Sequence, residues 1–201
     1  MKISVLTLVL LLLLTFTCHA SGGLALEAME TLRRGFAGSN DFTAEITQEK
    51  KLSMMKQILV SKGQVRFKKP DLFFMEIYPP HASRLLLKDN VMTMRLLEQG
   101  ATDRIVLPPE ESLKKWFDYL GKPLQALPEG LNVKAEHRGK LWIMQIFPQG
   151  KGAVQQLSLY FDQDGKISRI VIEERNHDRT TLIFSKMRSN VGLQDKDFKV
   201  E

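Results

Sequence analysis

The sequence predicts an α+β domain built on one large, curved or barrel-like antiparallel sheet. Three observations predict this fold class: a helical apolar pattern near the start of the domain, a long series of short alternating segments, and a second helical pattern inside that series. The 201 residues, of which 43% are apolar and 26% charged, have the composition of a globular chain. This composition excludes a collagen-like, low-complexity or wholly disordered protein.

The first twenty residues have the pattern of a cleaved secretory signal. A lysine precedes an apolar run over 3–14, and small residues precede a cut before Ser21. The run is short for a membrane span, because a span needs about twenty residues. We therefore predict a signal peptide over 1–20, a single domain over 21–201, and a periplasmic location for a protein that is soluble after cleavage.

Cys18 leaves two alternatives to this cleavage. The signal could remain as a membrane anchor, or Cys18 could carry lipid as in a bacterial lipoprotein. Thr15 and Phe16 make a poor lipidation motif, which favours cleavage after Ala20. The mature chain then contains no cysteine, and this excludes disulfides, thiolate catalysis and cysteine-ligated metals.

Residues 24–36 predict the first helix. Apolar side chains recur there at four-residue spacing, from Leu24 through Ala28 and Leu32 to Phe36. Acidic residues fall early in this segment and arginines late, which matches the helix dipole.

From residue 42 onward the apolar period changes from four to two, which is typical of strands. Turn residues such as Lys62-Gly63, Pro70-Asp71 and Asp162–Gly165 separate the segments. The predicted strands are 42–47, 56–61, 64–69, 72–78, 84–88, 91–97, 103–107, 132–136, 141–147, 155–162, 166–174 and 180–187, with a last edge at 198–200.

A second helix is predicted over 110–120, between the strand series. Two prolines precede it, acids occupy its first turn and Gly121 follows it. Its apolar stripe consists of Leu113, Trp116, Phe117 and Leu120. These four side chains are the candidates for a cover over an apolar surface, and the alternative is that they are permanent core. A further helical turn is predicted within 123–130.

The sequence offers little catalytic or metal-binding chemistry. His81, His137 and His177 stand far apart in turn-like segments without metal-ligand spacing. No nucleophile elbow, phosphate-binding loop or dinucleotide-binding glycine pattern occurs. Asp162–Gly165 lacks the last carboxylate of a calcium loop and predicts a hairpin turn. We therefore expect no enzyme, no metal and no cofactor.

The net charge of +6 could indicate a nucleic-acid partner, with Arg66–Lys69 as the nearest basic cluster. An exported chain rarely meets nucleic acid, and lysines also protect strand edges against aggregation. We therefore expect no nucleic-acid partner.

The apolar residues of the strand segments are more informative. Methionine recurs in them and adapts to irregular apolar partners. These side chains could simply form a core, or they could line a cavity under a sheet too large for one helix to fill. The residues predicted to line an acyl-binding cavity are Phe67, Phe74, Leu85, Met92, Met94, Ile143 and Phe184. The inward parity of each strand stays open, because a one-residue slip reverses it.

An ordered set of stretches gives the most specific signal. Asp41–Gln48 follows the first helix, and Gly63–Phe73 has the form G-x-[LV]-x-[FV]-[KR]-[KR]-P-x-x-[FL]. Further stretches follow at 78–80, 87–90, 157–167 and 195–198. Together with the helical insertion they resemble the periplasmic outer-membrane lipoprotein carrier family, LolA, over most of residues 24–200.

The resemblance implies an incomplete, twisted antiparallel β-barrel, or half-barrel, with helices forming a lid over an apolar cavity. It implies a monomeric carrier for acylated lipoproteins or lipids. Such a carrier accepts its cargo from an inner-membrane ABC lipoprotein exporter and delivers it to an outer-membrane acceptor. Other functions stay open: a periplasmic lipid-sensing or protein-interaction module of the same fold, a lipid-anchored LolB-like receptor, and, most remotely, a hydrolase.

Lys69 departs from the family pattern. The family often has arginine immediately before the position of Pro70, where it is thought to hydrogen-bond the lid. Lysine keeps the charge but lacks the planar five-donor fork of arginine. As a candidate lid latch, Lys69 should meet lid backbone carbonyls or a carboxylate such as Glu110, Glu111 or Asp118. The alternative is a solvated strand-edge lysine like its neighbour Lys68.

Overall fold

The computed structural model describes residues 21–107, 118, 121–127, 132–149 and 152–201, without the side chains of residues 21 and 22. Helix α1 spans Ser21–Ala37 and includes the predicted helix. The strands are β1 Asp41–Lys51, β2 Ile58–Lys68, β3 Leu72–Ile77, β4 Ser83–Lys88, β5 Val91–Leu96, β6 Ala101–Val106, β7 Asn132–Arg138, β8 Leu141–Phe147, β9 Val154–Phe161, β10 Ile167–Glu174 and β11 Arg179–Ser189.

These eleven described strands form one antiparallel sheet in the order β6-β5-β4-β3-β2-β1-β11-β10-β9-β8-β7. Two meanders, β1–β6 and β7–β11, meet where β1 pairs with β11. Strands β6 and β7 therefore lie at opposite edges, and the described sheet is not closed. The predicted large antiparallel sheet is confirmed. Apart from residue 118, the helix predicted over 110–120 lies outside the described residues, and the apolar cavity beneath the predicted lid stays a prediction.

Helix α1 packs on β7 and β8 through a stripe of small and apolar side chains. The stripe consists of Ala25, Ala28, Met29 and Leu32, each at most 5% exposed. This spacing places all four on one face of a 3.6-residue helix. They join a core with Val133, Trp142, Met144, Ile146, Leu159 and Phe161.

The β9–β10 turn approaches α1 so closely that glycine is required on both sides. A Cβ on Gly35 would lie 2.6 Å from the carbonyl oxygen of Asp164, and a Cβ on Gly165 would collide with that of Thr31. Gly165 also has a φ of +76°, which other residues rarely adopt. The predicted turn is confirmed, because the Asp162 carboxylate accepts the Asp164 N–H at 3.0 Å.

The predicted turn at Lys62-Gly63 is wrong. Gly63 lies inside β2, opposite Ile77 of β3. Glycine is required there because β2 and β3 approach each other closely, and a Cβ on residue 63 would collide with the backbone oxygen of Glu76. Segments 56–61 and 64–69 thus form one long strand instead of two.

The predicted last strand at 198–200 is also wrong. A 3₁₀ turn spans Asp195–Asp197, and the Phe198 side chain after it is buried. Arg66 Nη1 donates to the Asp197 carbonyl at 2.7 Å, and Lys68 Nζ donates to Asp195 Oδ1 at 2.7 Å. The C-terminal segment is therefore held against the sheet by side chains of β2, and by Arg84 of β4 at Glu201, and not by strand pairing.

Glu76 of β3 is the centre of a charged network on that same face of the sheet. Arg84 Nε donates to Glu76 Oε1 at 2.9 Å, Gln64 Nε2 donates to Oε2 at 3.1 Å, and Arg66 Nη2 lies 3.7 Å from Oε2. Burial opposes ionisation of Glu76, but these partners outweigh it and hold the pKa below its ordinary value.

We expect Gly35→Ala to lower the free energy of unfolding by roughly 1–3 kcal/mol, because the new methyl group meets backbone that cannot move aside. Gly23→Ala in the same helix is the control. Nothing lies within 4 Å of its Cβ, so it should raise stability by about 0.5–1 kcal/mol. Urea denaturation of both variants gives the comparison, and a stabilised Gly35→Ala protein would contradict the close packing.

We expect Glu76→Gln to cost roughly 1–3 kcal/mol at neutral pH. Because the folded-state pKa of Glu76 is lowered, its stabilisation is present above the ordinary glutamate pKa and is lost as the pH falls through the folded value. The difference between wild type and variant should therefore shrink on acidification. Denaturation curves across the acidic range measure it. Glu136→Gln, at an exposed ion pair with Arg138, should show little effect at any pH.

Candidate functional site

One face of the sheet is mainly apolar on all the described strands, with polar exceptions such as Asp103 of β6 and Gln48 of β1. Directly opposed residues on neighbouring strands share a face. A first row runs through Phe42, Phe67, Phe73, Leu87, Met92 and Ile105, from β1 to β6. A second row runs beside it through Ala44, Val65, Met75, Leu85 and Met94. On β11 to β7 the face continues through Leu182, Ile170, Leu159, Met144 and Ala135. We call this the apolar face.

Helix α1 covers the β7–β9 part of the apolar face. A helix about 10 Å across spans roughly two strands at a spacing of about 4.8 Å. Along the first row, exposure rises from 3% at Phe67 to 48% at Ile105, with half-buried side chains between them. The strands β3–β5 thus present apolar side chains that are only partly covered.

Five of the seven side chains predicted to line a cavity lie on the apolar face. They are Phe67, Leu85, Met92, Met94 and Phe184. The register places Phe74 and Ile143 on the opposite face, where they pair with Arg66 and Tyr160. Phe74 lies there beneath the Arg66 guanidinium, 5.2 Å from its ring centre. An acyl-binding role for the five stays a prediction.

Sequence reasoning did not select Phe42 and Phe36, which join the helix to the first row. The ring centres of Phe36 and Phe42 are 5.9 Å apart, and those of Phe42 and Phe67 are 5.2 Å apart. The alternation of Phe42, Ala44 and Ile46 was the signal for this face, since all three are buried on it. The apolar row therefore begins at the last turn of α1.

Lys69 also meets the last turn of α1. Its Nζ donates a hydrogen bond of 2.6 Å to the carbonyl oxygen of Phe36, and its backbone N–H donates to Asn40 at 2.8 Å. Burial lowers the pKa of Lys69, and the negative end of the helix dipole favours the charged ammonium. The alternative of a solvated lysine without contacts is wrong. The partner is a carbonyl of α1. Of the predicted carboxylate partners, Glu110 and Glu111 lie outside the described residues, and Asp118 is exposed.

The four side chains predicted as a cover also lie outside the described residues: Leu113, Trp116, Phe117 and Leu120. The segment that follows them, residues 121–127, consists of bends and turns where a helical turn was predicted. Its Leu124 and Leu127 pack against the α1 core. The Leu124 N–H donates to Glu30 Oε2 at 3.3 Å, so this segment is attached to α1.

The described residues include two clefts, which lie on different faces of the sheet. One, of about 230 Å³, lies between Phe36, Phe42 and Gly165. The other, of about 480 Å³, lies at an irregularity in the β1–β11 pairing, and its lining includes Thr43, Glu45 and Gln64, which the register places opposite the apolar face. The predicted cavity residues line neither cleft. Among the described residues, no three His, Cys, Asp or Glu side chains are placed to hold a metal ion. No helix in this part of the chain is long and apolar enough to cross a membrane.

The sequence model of a known family matches residues 37–201. The family is described as outer membrane lipoprotein carrier protein LolA. The match covers every described strand, Lys69 and the apolar face. A search of curated proteins finds no match.

Solved structures show the same fold at low sequence identity. A DUF1329 family protein from Desulfovibrio piger has a TM-score of 0.52 and 12% identity, over 88% of this chain and 97% of that one. A domain from Vibrio parahaemolyticus with a suggested role in outer membrane lipoprotein sorting has a TM-score of 0.50 and 12% identity, over 87% and 96%. A LolA superfamily protein from Nitrosomonas europaea has a TM-score of 0.48 and 12% identity, over 88% and 97%.

We expect Lys69→Met to lower the free energy of unfolding by roughly 1–3 kcal/mol, because the carbonyl of Phe36 loses a charged donor. Lys68→Met is the matched control. Its partner Asp195 is 85% exposed, so its loss should cost about 0–1 kcal/mol. Urea denaturation of both variants measures the difference. Equal small effects would mean that the Lys69 contact contributes no more than an ordinary surface charge.

Proposed function

The chain belongs to the LolA family of outer membrane lipoprotein carriers, and from this premise we propose that it is an exported periplasmic carrier of acyl chains. The family consists of carrier proteins rather than enzymes. The proposed cargo is the acyl part of lipoproteins or related lipids. The carrier receives it from an inner-membrane ABC exporter and passes it to an outer-membrane acceptor.

The observation that carries this proposal is the partly covered apolar face of β3–β5. Phe73, Met75, Leu85, Leu87 and Met92 are half-buried, although they continue rows that are fully buried on β1 and β2. Unbranched methionines on these strands can adapt to chains of different length and saturation. A surface of this kind suits a flexible apolar ligand better than a rigid polar one.

The energetics favour such a ligand. Each CH₂ group removed from water contributes about 0.8 kcal/mol, so an acyl chain along one row gains several kcal/mol. The same surface without a ligand needs protection, because large exposed apolar patches lead to aggregation. A carrier of this type therefore needs a cover over the apolar face that moves aside when the ligand binds.

We propose that the stripe of Leu113, Trp116, Phe117 and Leu120 is part of that cover. The chain between Val106 and Asn132 joins the two edges of the sheet, since β6 and β7 are the edge strands. At its far end, Leu124 and Leu127 pack on the α1 core. The attachment of Leu124 and Leu127 to the α1 core supports the proposal that the stripe acts on the helix side of the sheet.

Lys69 has a positioning role in this proposal. It ties the last turn of α1 to the end of β2, beside the point where the first apolar row begins. Release of this contact would free Phe36 to move relative to Phe42. Lys69 therefore serves as a latch on α1 rather than as a ligand for the cargo.

We expect the double variant Met92→Gln, Met94→Gln to bind a fluorescent fatty acid at least about tenfold more weakly than wild type, because two apolar contacts are replaced by amides of similar size. Titration in solution without vesicles measures the affinity. Met54→Gln is the control, since Met54 is 96% exposed at a hairpin tip and should leave fatty-acid binding unchanged.

A wild-type protein that binds no fatty acid, and that carries no lipid by mass spectrometry when purified from the periplasm, would contradict the carrier function. A filled apolar face with a dedicated protein partner would then favour the sensing or protein-interaction module. Equal losses in the Met92 and Met54 variants would also contradict the proposed site.

A further inference from the structure

The tip of the β1–β2 hairpin is the most exposed apolar feature among the described residues. Met54 is 96% exposed, and Met55, Ile58 and Val60 are 43%, 54% and 58% exposed. These side chains are therefore more exposed than the half-buried side chains of the apolar face on β3–β5. The hairpin tip is also remote from that site, because Lys69 lies at the other end of β2.

The exposed methionines belong to an ordered turn. The Met55 N–H donates to the Leu52 carbonyl at 3.0 Å, and the Ser53 N–H donates to Asp178 Oδ1 at 2.7 Å. Asp178 lies in the neighbouring β10–β11 turn, so the two turns are joined. The Ser53 hydrogen bond, together with other contacts, lowers the pKa of Asp178 and keeps it ionised. Hydrogen bonds therefore hold the turn that carries the two exposed methionines.

Lysines surround the exposed methionines. Lys50, Lys51 and Lys56 lie within four residues of Met54, are exposed and form no ion pair among the described residues. Of the nearby acids, Asp178 accepts from Ser53 and Asn176 and also attracts Lys50, whereas Glu173 pairs with Arg179 at 2.5 Å. Glu49 is half-buried. The tip thus combines apolar side chains with an excess of positive charge.

We propose that the β1–β2 hairpin tip docks the protein on a bilayer that carries anionic headgroups. Met54 and Met55 enter the interfacial region, and the lysines face lipid phosphates. A protein partner is less favoured, because a stable protein interface needs about 800 Å² on each side and a narrow tip offers little area. A lipid bilayer is fluid, so its interfacial region can accommodate a narrow hairpin tip. This inference goes beyond carriage of acyl chains, because it concerns the membrane surface to which the protein binds.

The test is flotation of the mature chain with vesicles of phosphatidylcholine, with and without phosphatidylglycerol. Wild type should float with the anionic vesicles and stay in solution with the neutral ones. Each lysine near an anionic surface contributes roughly fivefold in affinity. Lys51→Gln, Lys56→Gln should therefore bind at least about tenfold more weakly. Met54→Gln, Met55→Gln should also lose binding.

Two control variants make the test specific. Lys196→Gln, Lys199→Gln removes the same charge from exposed positions near the C-terminus, and Val106→Gln removes an apolar side chain that is 67% exposed on β6. Both should float like wild type. Equal losses in the control and hairpin variants, binding to neutral vesicles alone, or capture by an acidic protein without vesicle binding would each overturn the proposal. Fatty-acid titration of the same variants in solution separates this outcome from a failure of the carrier function.

Discussion

A single helix cannot cover one face of an eleven-stranded sheet, and this constraint shapes the rest of the molecule. Strands spaced about 4.8 Å apart make the sheet roughly 50 Å wide, whereas a helix covers about 10 Å. Helix α1 packs on β7 and β8 and completes a core there. The same face continues over β3–β5 with side chains of the same apolar kind. A face of this size needs a second apolar occupant, because apolar surface left in water leads to aggregation.

The boundary between the covered and the partly covered regions lies at the last turn of α1, and contacts on two sides fix it there. Gly35 meets the β9–β10 turn on one side, and Lys69 of the β2 end holds the Phe36 carbonyl on the other. The rings of Phe36, Phe42 and Phe67 fill the space between them. A displacement of this turn would therefore disturb the glycine contact, the lysine contact and the apolar row together. The position of the helix is in this way coupled to the state of the apolar face.

Most strands could be predicted because alternation and turn residues are local properties of the sequence, and β8 has its predicted bounds of Leu141–Phe147. The face of the sheet on which each residue lies could not be predicted, because consecutive residues such as Leu85–Leu87 and Phe73-Phe74 are all apolar. Phe74 and Ile143 were placed with the site for this reason, although the register puts them opposite. Gly63 predicted a turn because glycine at a turn and glycine at a close strand approach look alike in sequence. The contact of Lys69 with Phe36 joins residues 33 positions apart, which no local pattern reports.

Strand β2 connects two apolar surfaces that would bind their ligands through different interactions, one hydrophobic and the other partly electrostatic. At one end, Phe67 and Val65 belong to rows of neighbouring side chains, where a ligand gains from contacts that salt does not screen. At the other end, Met54 lies beside Lys51 and Lys56, which form no ion pair within the described part of the chain. Their attraction to an anionic surface weakens as ionic strength rises, because salt screens charges beyond a Debye length of about 8–10 Å at physiological ionic strength. The strand is eleven residues long, so the two ends are separated by roughly 35 Å. Binding of acyl chains and the proposed docking at a bilayer are therefore physically independent, and a change in salt or charge can alter one without altering the other.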